Sequence, residues 1–246
     1  MIRLEHLSKR YGKNGPNALN DLTFSVERGE LFGFLGPNGA GKTTTIKILV
    51  GLLRPDSGRA EVDGIDCLSS PLELKRRIGY VPDEPMLYDN LTGGRFLGFI
   101  ADVYEVPTDK RSIIAELAEQ FELKGQLDER ISAYSHGMRQ KLSIIAALLH
   151  RPEVFILDEP IVGLDPRASF VLKEKMRELC SRGGTVFFST HVMEVAERLC
   201  DRVGIIRGGR MIAAGPLAEL RRTAGEADAT LEKLFLELTD EDALAP

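Results

Sequence analysis

Residues 36–43 read GPNGAGKT, which matches the phosphate-binding pattern G-x-x-x-x-G-K-[ST]. The apolar run at 31–35 predicts a buried strand before this phosphate loop, and residues 44–50 predict the first turns of a helix after it. Glycine lets the backbone turn tightly and aim several N–H groups at one anion, and the helix adds the positive end of its dipole. This context separates a working loop from a chance match. The sequence therefore predicts a site for the phosphates of a nucleoside triphosphate.

Two side chains of the phosphate loop have expected roles of their own. Lys42 would reach the outer phosphates, and the hydroxyl of Thr43 would hold Mg²⁺. The alternative is a glycine-rich turn with a coincidental Lys-Thr pair, which the flanking strand and helix disfavour. The predicted nucleotide contacts in this region are Gly36, Pro37, Asn38, Gly39, Ala40, Gly41, Lys42, Thr43 and Thr44.

The composition is that of an ordinary globular protein, with 43% hydrophobic and 28% charged residues among 246. The net charge of −5 argues against nonspecific binding to nucleic acid, because no basic face is supplied in excess. Cys67, Cys180 and Cys200 are widely spaced and form no C-x-x-C pair. They predict reduced thiols of a cytosolic protein, and neither a disulfide framework nor a metal site.

The sequence predicts neither a signal peptide nor a membrane-spanning helix. Residues 1–5 alternate between apolar and polar types from the start. The longest apolar stretches, such as 144–149, fall far short of the ~20 residues needed to span a bilayer. Any role at a membrane would therefore come through a partner.

Strands and helices are predicted in three blocks, the first rich in strands, the second helical from 91 to 149, and the third mixed. The runs at 154–157 and 185–188 are continuously apolar, as expected for parallel strands covered on both faces. The predicted strands are 2–4, 22–26, 31–35, 59–64, 78–82, 154–157, 185–188 and 203–206. The expected fold class is α/β, with a P-loop NTPase core (a mostly parallel sheet with flanking helices), an antiparallel β subdomain and an inserted α-helical subdomain.

Residues 154–159 read VFILDE, an apolar strand that ends in two carboxylates. A carboxylate at the mouth of a parallel sheet is well placed to organise Mg²⁺, as in the Walker B arrangement, and this role is assigned to Asp158. Glu159 follows it, where it could polarise a water for attack on the γ-phosphate. The alternative is a solvated loop entrance, which the phosphate loop upstream disfavours.

Residues 134–140 read YSHGMRQ and precede an apolar stripe at helical spacing that stops near Pro152. Ser135 and Gly137 thus open a helix whose N-terminus is suited to a second phosphate contact. An ordinary serine N-cap is the alternative.

With these motifs together, the chain resembles the ATP-binding cassette (ABC) ATPase family over nearly its whole length. The family's signature motif, usually written LSGGQ, is matched by residues 134–138, and its D-loop is matched by 163–165. His191, within Ser-Thr-His at 189–191, matches the switch histidine. Tyr11 stands where the family's adenine-stacking aromatic residue is expected, upstream of the phosphate loop.

The resemblance implies a head-to-tail dimer, in which each of two ATP molecules lies between the phosphate loop of one chain and the signature helix of the other. Ser135 and Gly137 would then act in trans on the γ-phosphate, and Asp165 would lie at the dimer seam. His191 would contact the γ-phosphate in cis. The expected catalytic residues are Glu159, His191 and Lys42.

The expected organisation is a single nucleotide-binding domain over residues 1–246. The core and its antiparallel β subdomain would occupy about 1–82 and 151–215, and the helical subdomain with the signature motif about 83–150. A short helical tail would cover 216–246.

Two motifs depart from the family pattern. Asp83 stands where the family usually carries a glutamine that helps ligate Mg²⁺ and senses the transmembrane partner. A carboxylate can still coordinate a hard cation, so Asp83 is expected at the metal or its water, but it cannot donate a hydrogen bond when ionised. In the signature, His136 replaces the first glycine and Met138 replaces the glutamine. Ser135 and Gly137 remain, so we expect the site to be catalytically active.

The resemblance also implies the peripheral ATPase subunit of a membrane transporter, whose integral membrane permease is a separate chain. The run 85–92 is apolar and rich in turn residues, which makes it a candidate contact for the permease; a packed connection between domains is the alternative. The ending at 230–239 resembles that of export-type bacterial cassettes and favours export. The expected location is cytoplasmic, on the inner face of the cell membrane through the permease.

The expected cofactors are ATP and Mg²⁺, and the expected partners are the permease and a second cassette, either identical or paralogous, with no nucleic acid. Two other classes stay open. One is a soluble ABC ATPase that acts on nucleic acid or the ribosome, although the chain lacks the paired cassettes, coiled-coil insertions or basic surfaces typical of that class. The other is an ATP-binding regulatory switch with little turnover, suggested by Asp83 and His136 but disfavoured by Glu159.

Overall fold

The computed structural model describes residues 1–12, 15–106, 109–223 and 230–239. The strands in these ranges are β1 (Ile2–Arg10), β2 (Asn17–Val26), β3 (Leu31–Leu35), β4 (Ser57–Val62), β5 (Ile65–Asp66), β6 (Ile78–Val81), β7 (Val154–Asp158), β8 (Thr185–Thr190), β9 (Arg202–Arg207) and β10 (Arg210–Gly215). The helices are α1 (Lys42–Leu49), α2 (Pro71–Arg77), α3 (Gly93–Val103), α4 (Lys110–Gln120), α5 (His136–Leu148), α6 (Pro166–Ser181), α7 (Met193–Leu199), α8 (Leu217–Thr223) and α9 (Leu231–Thr239).

The larger sheet has six strands in the order β10-β9-β3-β8-β7-β6. Strands β9, β3, β8, β7 and β6 are parallel neighbours, and β10 runs antiparallel to β9 at one edge. Because parallel strands all end at the same edge of a sheet, the loops after β3, β7 and β8 meet there. The fold thereby brings the phosphate loop, Glu159 and His191 to one edge.

The central strands of this sheet are buried on both faces. On β7, Val154 and Ile156 pack in the same cluster as α1 and the antiparallel strands, whereas Phe155 and Leu157 pack with the helical region and α6. Every residue of β3, β7 and β8 is buried. Burial on both faces explains why these strands are continuous apolar runs.

The smaller sheet is antiparallel, in the order β2-β1-β4-β5, and covers one face of the larger sheet. Phe24 of β2 stacks on Phe32, Phe34 and Phe187 of the larger sheet, with ring centroids 5.7, 5.5 and 6.1 Å apart. Each such pair contributes about 0.5–1.5 kcal/mol beyond the area that it buries. These rings join the two sheets into one core.

Helices α3, α4 and α5 form the helical region that the sequence indicated between 91 and 149. The predicted helix after Ser135 is confirmed by α5, whose N-cap Ser135 accepts a hydrogen bond from the N–H of Met138 at 3.3 Å. Leu142 and Ile145 of the apolar stripe are fully buried. Phe121 lies one residue beyond the end of α4 and is fully buried as well.

The last two helices pack beside α7. Leu231 of α9 is fully buried in a cluster with Ala196 of α7 and Val203 of β9. Of the tail predicted at 216–246, residues 224–229 and 240–246 lie outside the described residues. Across the described ranges, no helix combines the length and the apolar character needed to cross a bilayer.

Candidate functional site

The phosphate loop requires glycine for two physical reasons. Gly39 and Gly41 have φ angles of +79° and +112°, in the left-handed region that favours glycine. A Cβ atom on Gly41 would also lie 2.6 Å from the carbonyl oxygen of Ala18, and one on Gly36 would lie 2.5 Å from that of Ile206. The loop is therefore a tight turn packed directly against the backbones of β2 and β9.

Lys42 is the first residue of α1, and its ammonium group points back into the loop. Its Nζ atom donates to the carbonyl oxygen of Gly36 at 2.7 Å and lies 3.5 Å from Oε1 of Glu159. The side chain is only 7% exposed, so these contacts hold a largely buried positive charge. A buried cation beside the N-terminus of a helix favours the binding of anions.

A cavity of about 300 Å³ opens over the phosphate loop. Its lining brings together four parts of the predicted site that are distant in sequence. The phosphate loop and the adjacent Thr44 form one part, and Tyr11, Asp83 and Glu159 are the other three. The hydroxyl of Tyr11 lies 3.4 Å from Oγ1 of Thr44, and the tyrosine side chain is half exposed. An exposed aromatic ring at the rim of a cavity is available to stack on a planar base.

Asp158 ends β7 in a buried position. Its Oδ1 atom accepts a hydrogen bond from Oγ of Ser189 at 2.5 Å. Its Oδ2 atom is also buried and has no hydrogen-bond partner among the described residues. A buried carboxylate oxygen without a partner is costly unless another group compensates it, and a divalent cation or its water shell is such a group.

The residues predicted for Mg²⁺ fit a hard cation. Thr43, Asp83 and Asp158 all line a second cleft of about 550 Å³, and Thr43 and Asp83 line the phosphate cavity as well. Among the described residues, no group of three or more His, Cys, Asp or Glu side chains is arranged as a metal site. One hydroxyl and two carboxylates match the usual Mg²⁺ site, where few protein ligands act together with phosphate oxygens and water.

Negative charge is concentrated at this edge of the sheet. Burial, and then the charges of Asp158 and Glu159, raise the pKa of Asp83 above its usual value. Burial, followed by the charges of Asp158 and Asp83, raises the pKa of Tyr80 on β6. The environment therefore favours a compensating cation.

Glu159 connects Lys42 to His191. Its φ angle is +46°, which is uncommon for a residue other than glycine and costs of order 1–3 kcal/mol. Its Oε2 atom lies 3.0 Å from Nδ1 of His191 and accepts a hydrogen bond from the His191 N–H at 3.3 Å. The three predicted catalytic side chains thus form one continuous line of contacts.

Ser135, Gly137 and Asp165 form a second group, outside the residues that line the phosphate cavity. Asp165 is the N-cap of α6, where its side chain accepts from the N–H of Ala168 at 2.8 Å, and its Oδ2 atom lies 2.5 Å from Nζ of Lys141. The Ala168 hydrogen bond, and then Lys141, lower the pKa of Asp165. Asp165 thus ties the start of α6 to α5.

The signature motif and the D-loop touch within one chain. A Cβ atom on Gly137 would lie 2.8 Å from the carbonyl oxygen of Gly163, and a Cβ atom on Gly163 would lie 2.6 Å from Cδ2 of His136. Gly163 also has a φ angle of +80°. The histidine that departs from the family pattern therefore packs against the D-loop.

The sequence did not indicate the roles of Ala18, Ser189 and Lys141. Ala18 lines the phosphate cavity only because β2 crosses the loop, and Ser189 reaches Asp158 only because β8 lies beside β7. For Lys141, the sequence could have predicted a carboxylate partner, because a lysine beside the buried stripe of a helix needs one.

The second cleft lies between the parallel sheet and the helical region. Its apolar lining includes Met86, which is 91% exposed, and Phe96 of α3. His150 stacks on Tyr104 in this cleft with ring centroids 4.0 Å apart, and burial lowers the pKa of the histidine. The run at 85–92 thus contributes exposed apolar surface to one wall.

Comparison with known proteins gives consistent matches over most of the chain. A family model described as "ABC transporter" matches residues 19–162. The ABC-type transporter ATP-binding protein EcsA of Bacillus subtilis is 36% identical over 244 residues, which cover 99% of this chain and 98% of EcsA. The Nod factor export ATP-binding protein I of Burkholderia orbicola is 40% identical over 221 residues, which cover 87% of this chain and 70% of that protein.

Two solved structures share the fold. One is an ATP-binding subunit of an ABC transporter, with a TM-score of 0.92 and 37% identity over 98% of this chain and 100% of that one. The other is a dimeric ATP-binding cassette in a post-hydrolysis state with ADP and phosphate, with a TM-score of 0.80 and 25% identity over 88% of this chain and 99% of that one. The predicted α/β fold class with a P-loop NTPase core is confirmed.

Proposed function

The chain belongs to the ABC transporter family of ATP-binding ATPase subunits, and on that premise we propose that it powers a membrane exporter through ATP-driven, head-to-tail dimerisation. The observation that carries the proposal is the line of contacts from Lys42 through Glu159 to His191, beside a glycine loop built for phosphates. In the proposed site, these groups would lie where charge develops during attack on a γ-phosphate.

For hydrolysis, we assign the general-base role to Glu159. Its carboxylate is fixed from two sides by Lys42 and His191, which leaves it oriented toward the phosphate cavity that it lines. From this place it can orient and polarise a water molecule, while Lys42 stabilises charge on the outer phosphates. His191 would position Glu159 through their 3.0 Å contact and would contact the γ-phosphate of a bound nucleotide. Positioning and charge stabilisation supply most of the catalysis.

Mg²⁺, when bound with ATP, would neutralise charge on the phosphate oxygens. Thr43, Asp83 and Asp158 would hold it, directly or through water. The unpartnered Oδ2 of Asp158 supports this assignment, and so does the raised pKa of Asp83, which burial and the charges of Asp158 and Glu159 cause.

A second cassette would complete the site. Ser135 and Gly137 start α5 outside the cavity of their own chain, and Ser135 is exposed, so both are available to the nucleotide of a partner. The related cassette whose dimeric structure holds ADP and phosphate supports dimerisation. The partner is an identical chain or a paralogous cassette, and Asp165 would lie near the seam.

The permease would dock in the second cleft. Segment 85–92 gives this cleft exposed apolar side chains, which suit a helix from a membrane protein. Thr43 and Asp83 line both the cleft and the phosphate cavity, so docking and nucleotide binding share residues. Export is favoured because the Nod factor relative is an export protein by name. The soluble and regulatory alternatives gain no support from the relatives.

Co-purification from membranes tests the permease assignment. We expect the tagged chain, expressed in its source cells, to retain integral membrane proteins, and Met86→Asp to lose them because it charges the apolar wall. Leu72→Asp is the matched control, since Leu72 on α2 is 78% exposed and lies outside the cleft lining. Equal recovery with Met86→Asp, or recovery of ribosomes or nucleic acid instead, would contradict the assignment.

A further inference from the structure

Ser189 on β8 contacts both acidic residues at the end of β7. In the sheet register it lies opposite Asp158, and it is fully buried. Its Oγ atom lies 2.5 Å from Oδ1 of Asp158 and 3.0 Å from the backbone nitrogen of Glu159. One buried hydroxyl therefore serves two consecutive residues with different proposed roles.

The chemistry of a hydroxyl fixes the direction of both hydrogen bonds. The N–H of Glu159 can only donate, so Oγ of Ser189 accepts there. The single O–H proton of Ser189 is then free to donate to Oδ1 of Asp158. A hydroxyl has one proton to donate and two lone pairs that can accept, so Ser189 can make both hydrogen bonds at once.

This arrangement distinguishes the two oxygens of Asp158. Oδ1 receives a short hydrogen bond, whereas Oδ2 stays buried without a partner in the described part of the chain. The hydrogen bond from Ser189 restrains the carboxylate at Oδ1, and Asp158 lines the second cleft together with Thr43 and Asp83. A free, oriented carboxylate oxygen is what a Mg²⁺ ion or its bound water requires.

The same hydroxyl stabilises the backbone of Glu159. A φ angle of +46° is unfavourable for glutamate, and it persists only where surrounding contacts determine it. The bond from its N–H to Ser189 is one such contact, and the side-chain contacts with Lys42 and His191 add to it.

We propose that Ser189 is a positioning residue that presents Oδ2 of Asp158 to the metal and holds the Glu159 carboxylate in its catalytic place. The proposal rests on the nucleotide-binding function proposed above. It predicts that removal of the Ser189 hydroxyl weakens the response to Mg²⁺ more than it weakens binding of the nucleotide itself.

A purely structural role makes a different prediction, and Thr185 provides the matched control. Thr185 lies at the start of the same strand, is equally buried, and donates through Oγ1 to the carbonyl oxygen of Glu27 at 3.1 Å. Thr185→Val removes a buried hydroxyl from β8 without touching either carboxylate. If Ser189 merely supports the strand, Ser189→Ala and Thr185→Val should behave alike.

The test is calorimetric titration with a non-hydrolysable ATP analogue, in EDTA and in Mg²⁺, for the unchanged chain, Ser189→Ala, Ser189→Cys and Thr185→Val. Ser189→Cys nearly keeps the side-chain volume but weakens both hydrogen bonds, so it remains informative if alanine impairs folding. We expect the gain in affinity caused by Mg²⁺ to fall about 10-fold in both Ser189 variants, with affinity in EDTA nearly unchanged. Turnover of Mg²⁺-ATP should fall by about 10–100-fold.

Retention of the full Mg²⁺ gain in both Ser189 variants would overturn the proposal, as would an equal loss in Thr185→Val. These results leave the proposed function intact, because the unchanged chain would still bind the analogue and respond to Mg²⁺. Failure of the unchanged chain to bind the analogue at all would instead refute the proposed function, and the Ser189 proposal with it.

Discussion

Asp83 places a third carboxylate near Asp158 and Glu159, which could help to bind a cation but adds repulsion when no cation is bound. It lines both the phosphate cavity and the second cleft, and it lies within electrostatic reach of Asp158 and Glu159. Burial and these two charges raise its pKa. A neutral glutamine, which the family usually carries there, would avoid this repulsion. The aspartate is therefore expected to reduce the stability of the free chain and to favour a bound cation.

Asp83→Gln should raise the Tm of the nucleotide-free chain at about pH 7.5, because it removes an ionised carboxylate from an unfavourable place. A carboxyl group with a raised folded-state pKa favours the folded state at low pH, and this contribution is lost as the pH rises through that pKa. The difference between the two chains should therefore shrink as the pH falls toward the usual aspartate value of 3.8. Thermal unfolding across this range measures it.

The control for this substitution is Glu84→Gln, which removes the same charge from the next residue, outside the lining of the phosphate cavity, and should change the Tm less. Because glutamine also offers an oxygen to Mg²⁺, we expect Asp83→Gln to retain ATP hydrolysis. Loss of turnover to background would show that the two side chains are not interchangeable here.

At the scale of elements, the starts of α5 and α6 are locked together. Gly137 lies against the carbonyl oxygen of Gly163, and Lys141 pairs with Asp165 at 2.5 Å. The ring of His136 also packs close to Gly163, where a Cβ atom would lie 2.6 Å from it. The signature motif and the D-loop should therefore move as one unit when a second cassette approaches, since neither can shift without breaking these contacts.

Gly137→Ala should destabilise the chain, although alanine is a better helix former than glycine. Its Cβ atom would lie 2.8 Å from a backbone oxygen that cannot rotate away, and such overpacking costs about 1–3 kcal/mol. Gly98→Ala in α3 is the matched control, because its Cβ atom meets nothing within 4 Å. We expect it to stabilise the chain by about 0.5–1 kcal/mol. Urea unfolding of both variants measures the difference, and equal effects would refute the locked contact.

How far the sequence predicts this site depends on the range of each contact. The phosphate loop and the N-cap at Ser135 are set by neighbours a few residues away, so spacing alone predicts them. Glu159 and Ser189 are 30 residues apart and meet because β7 pairs with β8. No local pattern encodes that order of strands. The contact of His136 with Gly163 is likewise a product of how α5 packs against the D-loop.

At the scale of the whole molecule, we propose that one chain carries two separate parts of a nucleotide site. One part is the phosphate loop with Glu159 and His191, and the other is the start of α5 at Ser135 and Gly137. Because the second surface does not line the chain's own cavity, two chains in head-to-tail orientation would complete two sites at once. Because the nucleotide would supply much of the contact between the two chains, ATP binding should drive dimer formation and hydrolysis should let the dimer dissociate.

Steady-state hydrolysis of Mg²⁺-ATP by the purified chain, beside Glu159→Gln, tests this account most directly, with mass measured by light scattering in the same samples. We predict turnover in the unchanged chain and a fall of at least about 100-fold in Glu159→Gln. The variant should still bind ATP and accumulate as a species of twice the 27.2 kDa chain mass. Equal turnover in both chains, or a variant that binds ATP and stays monomeric, would contradict the account.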